Sequence, residues 1–309
     1  MLKIKENIPL KWYTTFKIGG LAKYFFVAKN KEDLKKAILW AKKREIPFFI
    51  FGGGSNVLFS DEGFDGLVIK LSNTQYEIRN TKVTAEAGVP LQKLVLETAK
   101  KGLSGLENLA GIPGTLGGAI WGNAGAFGRE IGDLVEEVKI LKIENCKLQI
   151  AKLKKKDCKF GYRDSIFKKR KNWIILEATL KLKKGKRKEI EEKIKEVLKL
   201  RKEKQPLEFP SAGSVFKNVP IEKVPKKIQE KFKEKIKNGF LPAGALIEAA
   251  NLKGYQIGGA KISEKHANFI VNVGKAKAND VMQLIEKIKK EVKKKFRVQL
   301  EEEIGLVGF

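Results

Sequence analysis

The sequence predicts a multidomain protein of mixed helices and strands, and three observations carry that expectation. The chain has 309 residues, 42% of them hydrophobic, which is too long for one comfortable core and apolar enough for two or three. Its apolar residues change period along the chain, from helical spacing to strand alternation and back, with no internal repeat or low-complexity tract. The segment Pro206 to Pro210 interrupts this patterning and marks a late boundary.

Taken in order, Asn30 is placed to cap a helix whose Leu34, Ala37, Ile38 and Ala41 share one face. A buried strand at Pro47 to Phe51 and another at Leu67 to Ile69 then close a βαβ-like unit. Val83, Ala85 and Ala87 alternate as a strand face, and Pro90 to Lys101 reads as a helix with Pro at its start and Gly102 just past its end. Val138 and Ile140, then the run Ile174 to Leu182, have strand period, and a lysine-rich helix follows to Lys204. Beyond Pro210 come a helix around Leu246, Ile247 and Ala250, a strand at His266 to Val271, and an amphipathic helix carrying Val281, Leu284, Ile285, Ile288 and Val292. The expected division is 1–70, 71–205 and 206–297, with the last strand, 298–309, free to return to the middle part.

Composition narrows the function classes. No run of about 18 apolar residues is present, and Met1 to Lys5 lacks the apolar block of a signal peptide, so a cytoplasmic protein without membrane insertion is expected. Cys146 and Cys158 are too few for a disulfide framework, and no Cys/His cluster has metal-ligand spacing, so no metal is expected. The net charge of +28 raises the question of nucleic acid. Most of the excess lysine, however, is interleaved with glutamate, as in Arg187 to Lys195, at spacings that solvate a helix face. The expectation is therefore no dedicated nucleic-acid partner, a pull on small anions, and a monomer.

Two glycine loops stand out. Gly52-Gly53-Gly54-Ser55-Asn56 follows a buried strand and serves equally as a tight turn or as a loop aiming amides at phosphate. It is neither a Rossmann fingerprint, because Val57 holds the third glycine position, nor a P-loop. Gly111-Ile112-Pro113-Gly114-Thr115-Leu116-Gly117-Gly118-Ala119-Ile120-Trp121-Gly122-Asn123-Ala124-Gly125 interleaves glycine with apolar residues. Such a surface suits a large planar ligand such as a flavin, and a close-packed backbone crossing is the plain alternative. Two further segments, Tyr162-Arg163-Asp164-Ser165 and Ser211-Ala212-Gly213-Ser214-Val215-Phe216-Lys217-Asn218, hold polar residues outside any helix pattern. Taken singly, Arg163 could pair with Asp164, and Ser214 could be an ordinary turn serine.

Taken together and in order, these segments resemble the UDP-N-acetylenolpyruvoylglucosamine reductases (MurB). The likeness begins at Tyr13-Thr14-Thr15-Phe16-Lys17-Ile18-Gly19-Gly20 and runs through Gly258 to Phe269 to Leu300-Glu301-Glu302-Glu303-Ile304, nearly the whole chain. The resemblance implies an α+β fold: a two-subdomain FAD-binding module of the vanillyl-alcohol-oxidase (PCMH) type plus a C-terminal α+β substrate-binding domain. It implies NADPH as reductant, a UDP-sugar substrate, and hydride transfer through FAD to an enolpyruvyl ether. With no histidine near the glycine loops, the FAD is expected to be noncovalent. The positions matched to the family make Arg163, Ser214 and Glu303 the catalytic candidates. Gly52 to Asn56 and the Gly111 to Gly125 loop match the cofactor-binding positions, and Tyr162, Lys217 and Asn218 match the substrate-binding ones. Glu303 could orient substrate, stabilise charge or relay a proton. His266, the only histidine, is expected to be a satisfied residue rather than a ligand.

Several positions depart from the family. The stretch from Leu180 to Arg201 has no room for a tyrosine-bearing substrate loop, which places the chain in the shorter type II branch. Val219 to Phe240 is longer than the family pattern, Val219 stands where proline is usual, and Arg297 replaces a common glycine. A related FAD oxidase and a basic nucleotide- or RNA-binding protein without redox activity are the competing readings.

Overall fold

The computed structural model describes residues 2–144 and 147–309, so Cys146 lies outside the described residues. The chain forms two compact units. The first comprises residues up to Ile8, Ala22–Gly53 and Asp65–Arg201; the second comprises Pro9–Leu21, Gly54–Phe64 and Lys202–Phe309.

The first unit is built on two sheets. Its four-stranded sheet has the order Lys5–Pro9, Leu21–Ala28, Phe64–Leu71, Phe48–Phe51. Phe48–Phe51 and Phe64–Leu71 run parallel, with Phe48 opposite Leu67 and Ile50 opposite Ile69. A parallel pair needs a long crossover between its strands. The five-stranded sheet is antiparallel, in the order Lys147–Lys154, Val135–Glu144, Trp173–Lys181, Lys82–Glu86, Tyr76–Arg79. The helix Lys31–Lys43 starts where expected: Asn30 Oδ1 accepts from the Asp33 N–H at 2.8 Å, a cap worth about 1 kcal/mol. Its buried Leu34, Ala37, Ile38 and Ala41 share one cluster with Leu67 and Ile69 of the first sheet and Leu141 and Leu176 of the second. The helix Leu91–Lys100 lies on the opposite cluster of the five-stranded sheet, burying Leu91, Leu94 and Val95 against Val83, Val138 and Leu180.

The second unit has a four-stranded antiparallel sheet, Ser211–Ser214, Phe269–Asn272, Ala260–Ile262, Gln256–Ile257. The helix Ala278–Phe296 buries Val281, Leu284, Ile285, Ile288 and Val292 in its core. Phe16, Ile18 and Leu58, from the N-terminal third of the chain, belong to the same core.

One expectation is corrected, and two points the sequence leaves open are filled in. His266 to Asn268 is not strand: Ser263 Oγ accepts from the Lys265 and His266 N–H groups at 3.1 and 3.3 Å, a local turn that delays the strand to Phe269. Only Gly305–Val307 of the terminal segment is strand, and it pairs in parallel with Val57–Phe59, inside the second unit rather than with residues 71–205. Val219 to Phe240 is a closed excursion whose ends pair, Val219 with Leu241 and Pro220 with Phe240. It places Val224 and Phe232 in the second unit's core, where Phe232 meets Phe296 edge-on. Arg297 holds the left-handed position that ends the long helix, φ +58°, which is why a glycine is the ordinary choice there.

Candidate functional site

In the first unit the two glycine loops meet backbone to backbone. A Cβ on Gly52 would lie 2.2 Å from Thr115 Oγ1, and one on Gly53 would lie 2.6 Å from Gly114 Cα. These glycines let two loops about sixty residues apart in sequence pass closely. Gly114 needs glycine for a second reason, its φ of +110°. Thr115 caps the short helix Leu116–Gly122 by accepting from the Gly118 N–H, and Gly117 packs against Ala87. Gly122 by contrast faces open space, with nothing within 4 Å of a would-be Cβ.

Asn123 is a strut. Only 1% exposed, it caps that helix in the left-handed conformation; its amide donates to Glu130 Oε2 at 2.7 Å and to the Gly161 carbonyl at 2.8 Å, and its carbonyl accepts from the Gly132 N–H at 3.0 Å. Both donor hydrogens are thus spent on the protein.

That strut joins the glycine loop to the turn carrying Arg163. Gly161 and Asp164 exchange backbone hydrogen bonds of 3.0 Å in both directions, with Tyr162 and Arg163 between them. Arg163 has φ +50°, the third position of a type II turn, which ordinarily takes Gly or Asn. Its Nη2 donates to the Gly125 carbonyl at 2.8 Å and its guanidinium lies 5.3 Å from the Tyr162 ring centroid. Lys168 holds the turn from below by donating to the Arg163 carbonyl at 2.7 Å, while Asp164 faces Lys169 at 3.4 Å. Glu130, half-buried nearby, has its carboxyl pushed up by burial against the opposing pull of Asn123 and Arg163.

Two cations at these loops were not singled out from the sequence. Lys70 ends the parallel strand pair, its Nζ 3.5 Å from the Gly52 carbonyl, and burial lowers its pKa. Arg201 is buried, and its Nε donates to the Ala110 carbonyl at 2.7 Å. A sequence signal for Arg201 exists: it continues the buried helical stripe Ile190, Ile194, Val197, where an apolar residue is due.

In the second unit Ser214 ends the strand Ser211–Ser214. Ser211 pairs with Val271 and Ser214 with Phe269, so an extra residue is accommodated between them. Gly213, φ +78°, takes up that bulge and re-aims the serine after it. Asn268 anchors the far side, accepting from the Phe216 N–H at 3.0 Å and donating to its carbonyl at 2.8 Å. The C-terminal segment runs antiparallel beside it: Glu303 N–H donates to the Val215 carbonyl at 2.7 Å, and Lys217 N–H to that of Glu301 at 2.9 Å. Asn56, from the first glycine loop, donates to the Glu303 carbonyl at 3.1 Å. Gly54 of the same loop approaches Tyr13 so closely that a Cβ would lie 2.2 Å from its carbonyl oxygen. Ser214, Asn56 and Glu303 are thus joined through neighbouring backbone.

Glu301 and Glu302 are engaged by lysines: Glu301 with Lys223 at 3.1 Å and Lys217 at 3.5 Å, Glu302 with Lys289 at 2.8 Å. Lys217 is therefore turned to Glu301. Asn218 accepts from the Ala243 N–H at 3.3 Å and, with Ser214, lines a cavity of about 340 Å³. Lys235, Lys265 and His266 line it too, with Lys253 and Glu248 paired at 2.8 Å in the same wall. His266 Nδ1 accepts from the Asn268 N–H at 3.2 Å, and its pKa is lowered chiefly by burial. That bond satisfies Nδ1 without taking the ring out of the cavity wall. Elsewhere, burial pushes the Cys158 thiol up to about 12, which makes it inert as a nucleophile.

Comparison with known proteins bears on both units. A family model described as an FAD binding domain matches residues 22–149, and one described as the C-terminal domain of UDP-N-acetylenolpyruvoylglucosamine reductase matches 205–307. The chain is 45% identical over 307 residues to the UDP-N-acetylenolpyruvoylglucosamine reductase of Caldanaerobacter subterraneus subsp. tengcongensis, covering 99% of this chain and 94% of that one. It is 45% identical over 298 residues to the reductase of the same name from Thermotoga sp. strain RQ2, covering 96% and 91%. The crystal structure of the Thermus caldophilus reductase matches with a TM-score of 0.78 at 34% identity, covering 99% of this chain and 100% of that chain.

Proposed function

The chain belongs to the UDP-N-acetylenolpyruvoylglucosamine reductase family, and on that premise we propose how its own residues carry the reaction. It is an FAD-dependent oxidoreductase that reduces the enolpyruvyl ether of UDP-N-acetylenolpyruvoylglucosamine to the lactyl ether of UDP-N-acetylmuramate, with NADPH as reductant. We place it in the cytoplasmic synthesis of the peptidoglycan precursor, and so in cell shape and division.

The residues present fit FAD. Gly52, Gly53 and Gly114 let two loops come together at one place, Gly122 leaves open space beside them, and Lys70, Arg163 and Arg201 bring positive charge to the same loops, as a planar group with an anionic tail requires. When bound, the flavin supplies hydride to the terminal vinyl carbon. Negative charge then spreads onto the substrate's carboxylate. Arg163 meets it, because a guanidinium is always protonated and grips two oxygens at once. Its Nη2 bond to Gly125 and the Gly161–Asp164 turn fix its direction beforehand, so little reorganisation accompanies the charge. Ser214 donates the proton that completes the saturated product. A serine hydroxyl is a weak acid, but a carbanion-like neighbour is basic enough to accept from one held in place. Glu303 restores or orients that proton. Lys235 and Lys265 give the cavity beside Ser214 positive charge to receive a diphosphate, while Lys253 in the same wall is paired with Glu248 at 2.8 Å.

The observation that carries the Ser214 assignment is the Gly213 bulge, which re-aims the serine beside a backbone shared with Glu303. The deciding experiment is anaerobic. NADPH bleaches the yellow protein, and UDP-N-acetylenolpyruvoylglucosamine restores the colour within turnover time. Reoxidation by oxygen but not by that substrate would point to a flavin oxidase and defeat the reading.

A further inference from the structure

His266 is the only histidine of the chain, and its backbone and ring are both fixed. Its N–H donates to Ser263 Oγ at 3.3 Å, and its carbonyl accepts from the Phe269 N–H at 2.9 Å. The ring folds back so that Nδ1 accepts from the Asn268 N–H at 3.2 Å, with the Phe269 ring edge-on and the centroids 4.9 Å apart. Asn268 is itself tied to the segment after Ser214. Its carbonyl accepts from the Val215 N–H at 2.8 Å, and its side chain bonds both backbone groups of Phe216. The imidazole therefore has a set place in the wall of the cavity that Ser214 also lines.

A neutral imidazole has one nitrogen that accepts and one that donates. Because the Asn268 N–H uses the lone pair of Nδ1, the ring proton sits on Nε2. Among the described residues Nε2 has no hydrogen-bond partner. The charged groups in the same wall are Lys235, Lys253, Lys265 and Glu248. Lys253 pairs with Glu248 at 2.8 Å, and Lys265 lies 3.8 Å from Glu208. Burial lowers the pKa of the ring; its own carbonyl opposes this, Lys253 adds to it and Glu248 opposes it. At neutral pH the ring is thus uncharged. Lysine ammonium groups swing on flexible stems and bring charge without direction. The fixed imidazole brings direction without charge.

We propose that His266 is a substrate-binding residue that orients the diphosphate: its Nε2–H donates to a phosphate oxygen in the cavity beside Ser214. This rests on the reading of the chain as a reductase of a UDP-linked substrate. Lys235 and Lys265 draw the diphosphate in, and the imidazole selects one pose of it, so that the distance from Ser214 to the rest of the substrate is set as well.

A single histidine makes the test direct. A long-range ¹H–¹⁵N spectrum of the labelled, FAD-loaded protein shows one imidazole, and near neutral pH it is expected to show Nδ1 bare and Nε2 protonated. Saturating UDP is expected to shift the Nε2 signal, and uridine, which lacks the phosphates, is expected to leave it in place. A doubly protonated ring, a proton on Nδ1, no shift with UDP or an equal shift with uridine each overturns the proposal. Calorimetric titration adds the variants. His266→Leu is expected to bind UDP about tenfold more weakly or worse, as for one lost hydrogen bond to a charged oxygen. His266→Gln, whose amide can stand in for the Nε2–H, is expected to recover most of that loss. Unchanged UDP affinity in His266→Leu overturns the proposal. If UDP-N-acetylenolpyruvoylglucosamine restores the colour of the NADPH-bleached protein but leaves the imidazole signals unmoved, this proposal alone falls. If it restores no colour, the reading beneath falls too.

Discussion

Arg163 and Ser214 are both delivered by short irregular segments, and the two segments reach their shapes in opposite ways. In the Gly161–Asp164 turn the residue that bears the side chain is also the one in the left-handed region, φ +50°. A non-glycine residue there costs about 1–2 kcal/mol. Lys168, the paired Gly161 and Asp164 backbones and the saturated Asn123 amide offset that cost from the surroundings. In the Ser211–Ser214 bulge the left-handed residue is Gly213, φ +78°, and the functional side chain sits on its ordinary neighbour. A charge that must be rigid is thus held in a strained turn braced from several sides, whereas a hydroxyl that must reach a carbon is aimed by one unstrained glycine.

The widest difference between the two segments should emerge when each side chain is removed from its half-reaction. Ser214→Ala is expected to leave bleaching by NADPH nearly intact and to slow reoxidation by substrate about 10²–10⁴-fold, the usual worth of a positioned acid. Stopped-flow absorbance separates the two steps. Equal slowing of both would show that the bulge shapes the cofactor site rather than supplying a proton.

Arg163→Lys keeps the charge and loses the fork, and it should slow the substrate step about 10²–10³-fold, the cost of one misplaced donor to developing charge. Because Lys is no more comfortable than Arg at φ +50°, stability should not change, and a thermal melt run alongside checks this. A large fall in melting temperature would mean that the Nη2 bond to Gly125 chiefly holds the turn together.

How much of the molecule is legible in the sequence depends on how local each signal is. The Asn30 cap, the helix read between Pro90 and Lys101 and found at Leu91–Lys100, and the apolar stripe of Ala278–Phe296 are set by neighbours within a few residues. The seating of Gly53 on Gly114 is a long-range contact, and glycine spacing alone could not separate a ligand surface from a backbone crossing. The strand read at His266 failed because periodicity cannot register the Ser263 hydroxyl diverting two N–H groups. Arg201 was legible in principle, as a charge in the apolar stripe, but a long stem on a lysine-rich helix passes for surface. Among Glu301, Glu302 and Glu303, sequence alone could not exclude a slip of one residue. In the structure Glu301 faces Lys223 and Glu302 faces Lys289.

The smallest predicted effects address the contrast itself. At Gly213 nothing lies within 4 Å of a would-be Cβ, so a methyl group has room and only the backbone objects. Gly213→Ala should therefore destabilise by about 1–2 kcal/mol, the left-handed penalty alone, and move Ser214 enough to slow the substrate step. Arg163→Gly reverses the situation: it relieves the same penalty at φ +50° but deletes the Gly125 bond and the charge. Its substrate step should be lost while its denaturation midpoint stays level or rises, because the strain relieved is about as large as the 0.5–1.5 kcal/mol a hydrogen bond contributes. Paired urea melts decide the matter. If Gly213→Ala is neutral and Arg163→Gly strongly destabilising, strain does not distinguish the two segments, and the strut through Asn123 must be what holds Arg163 in its turn.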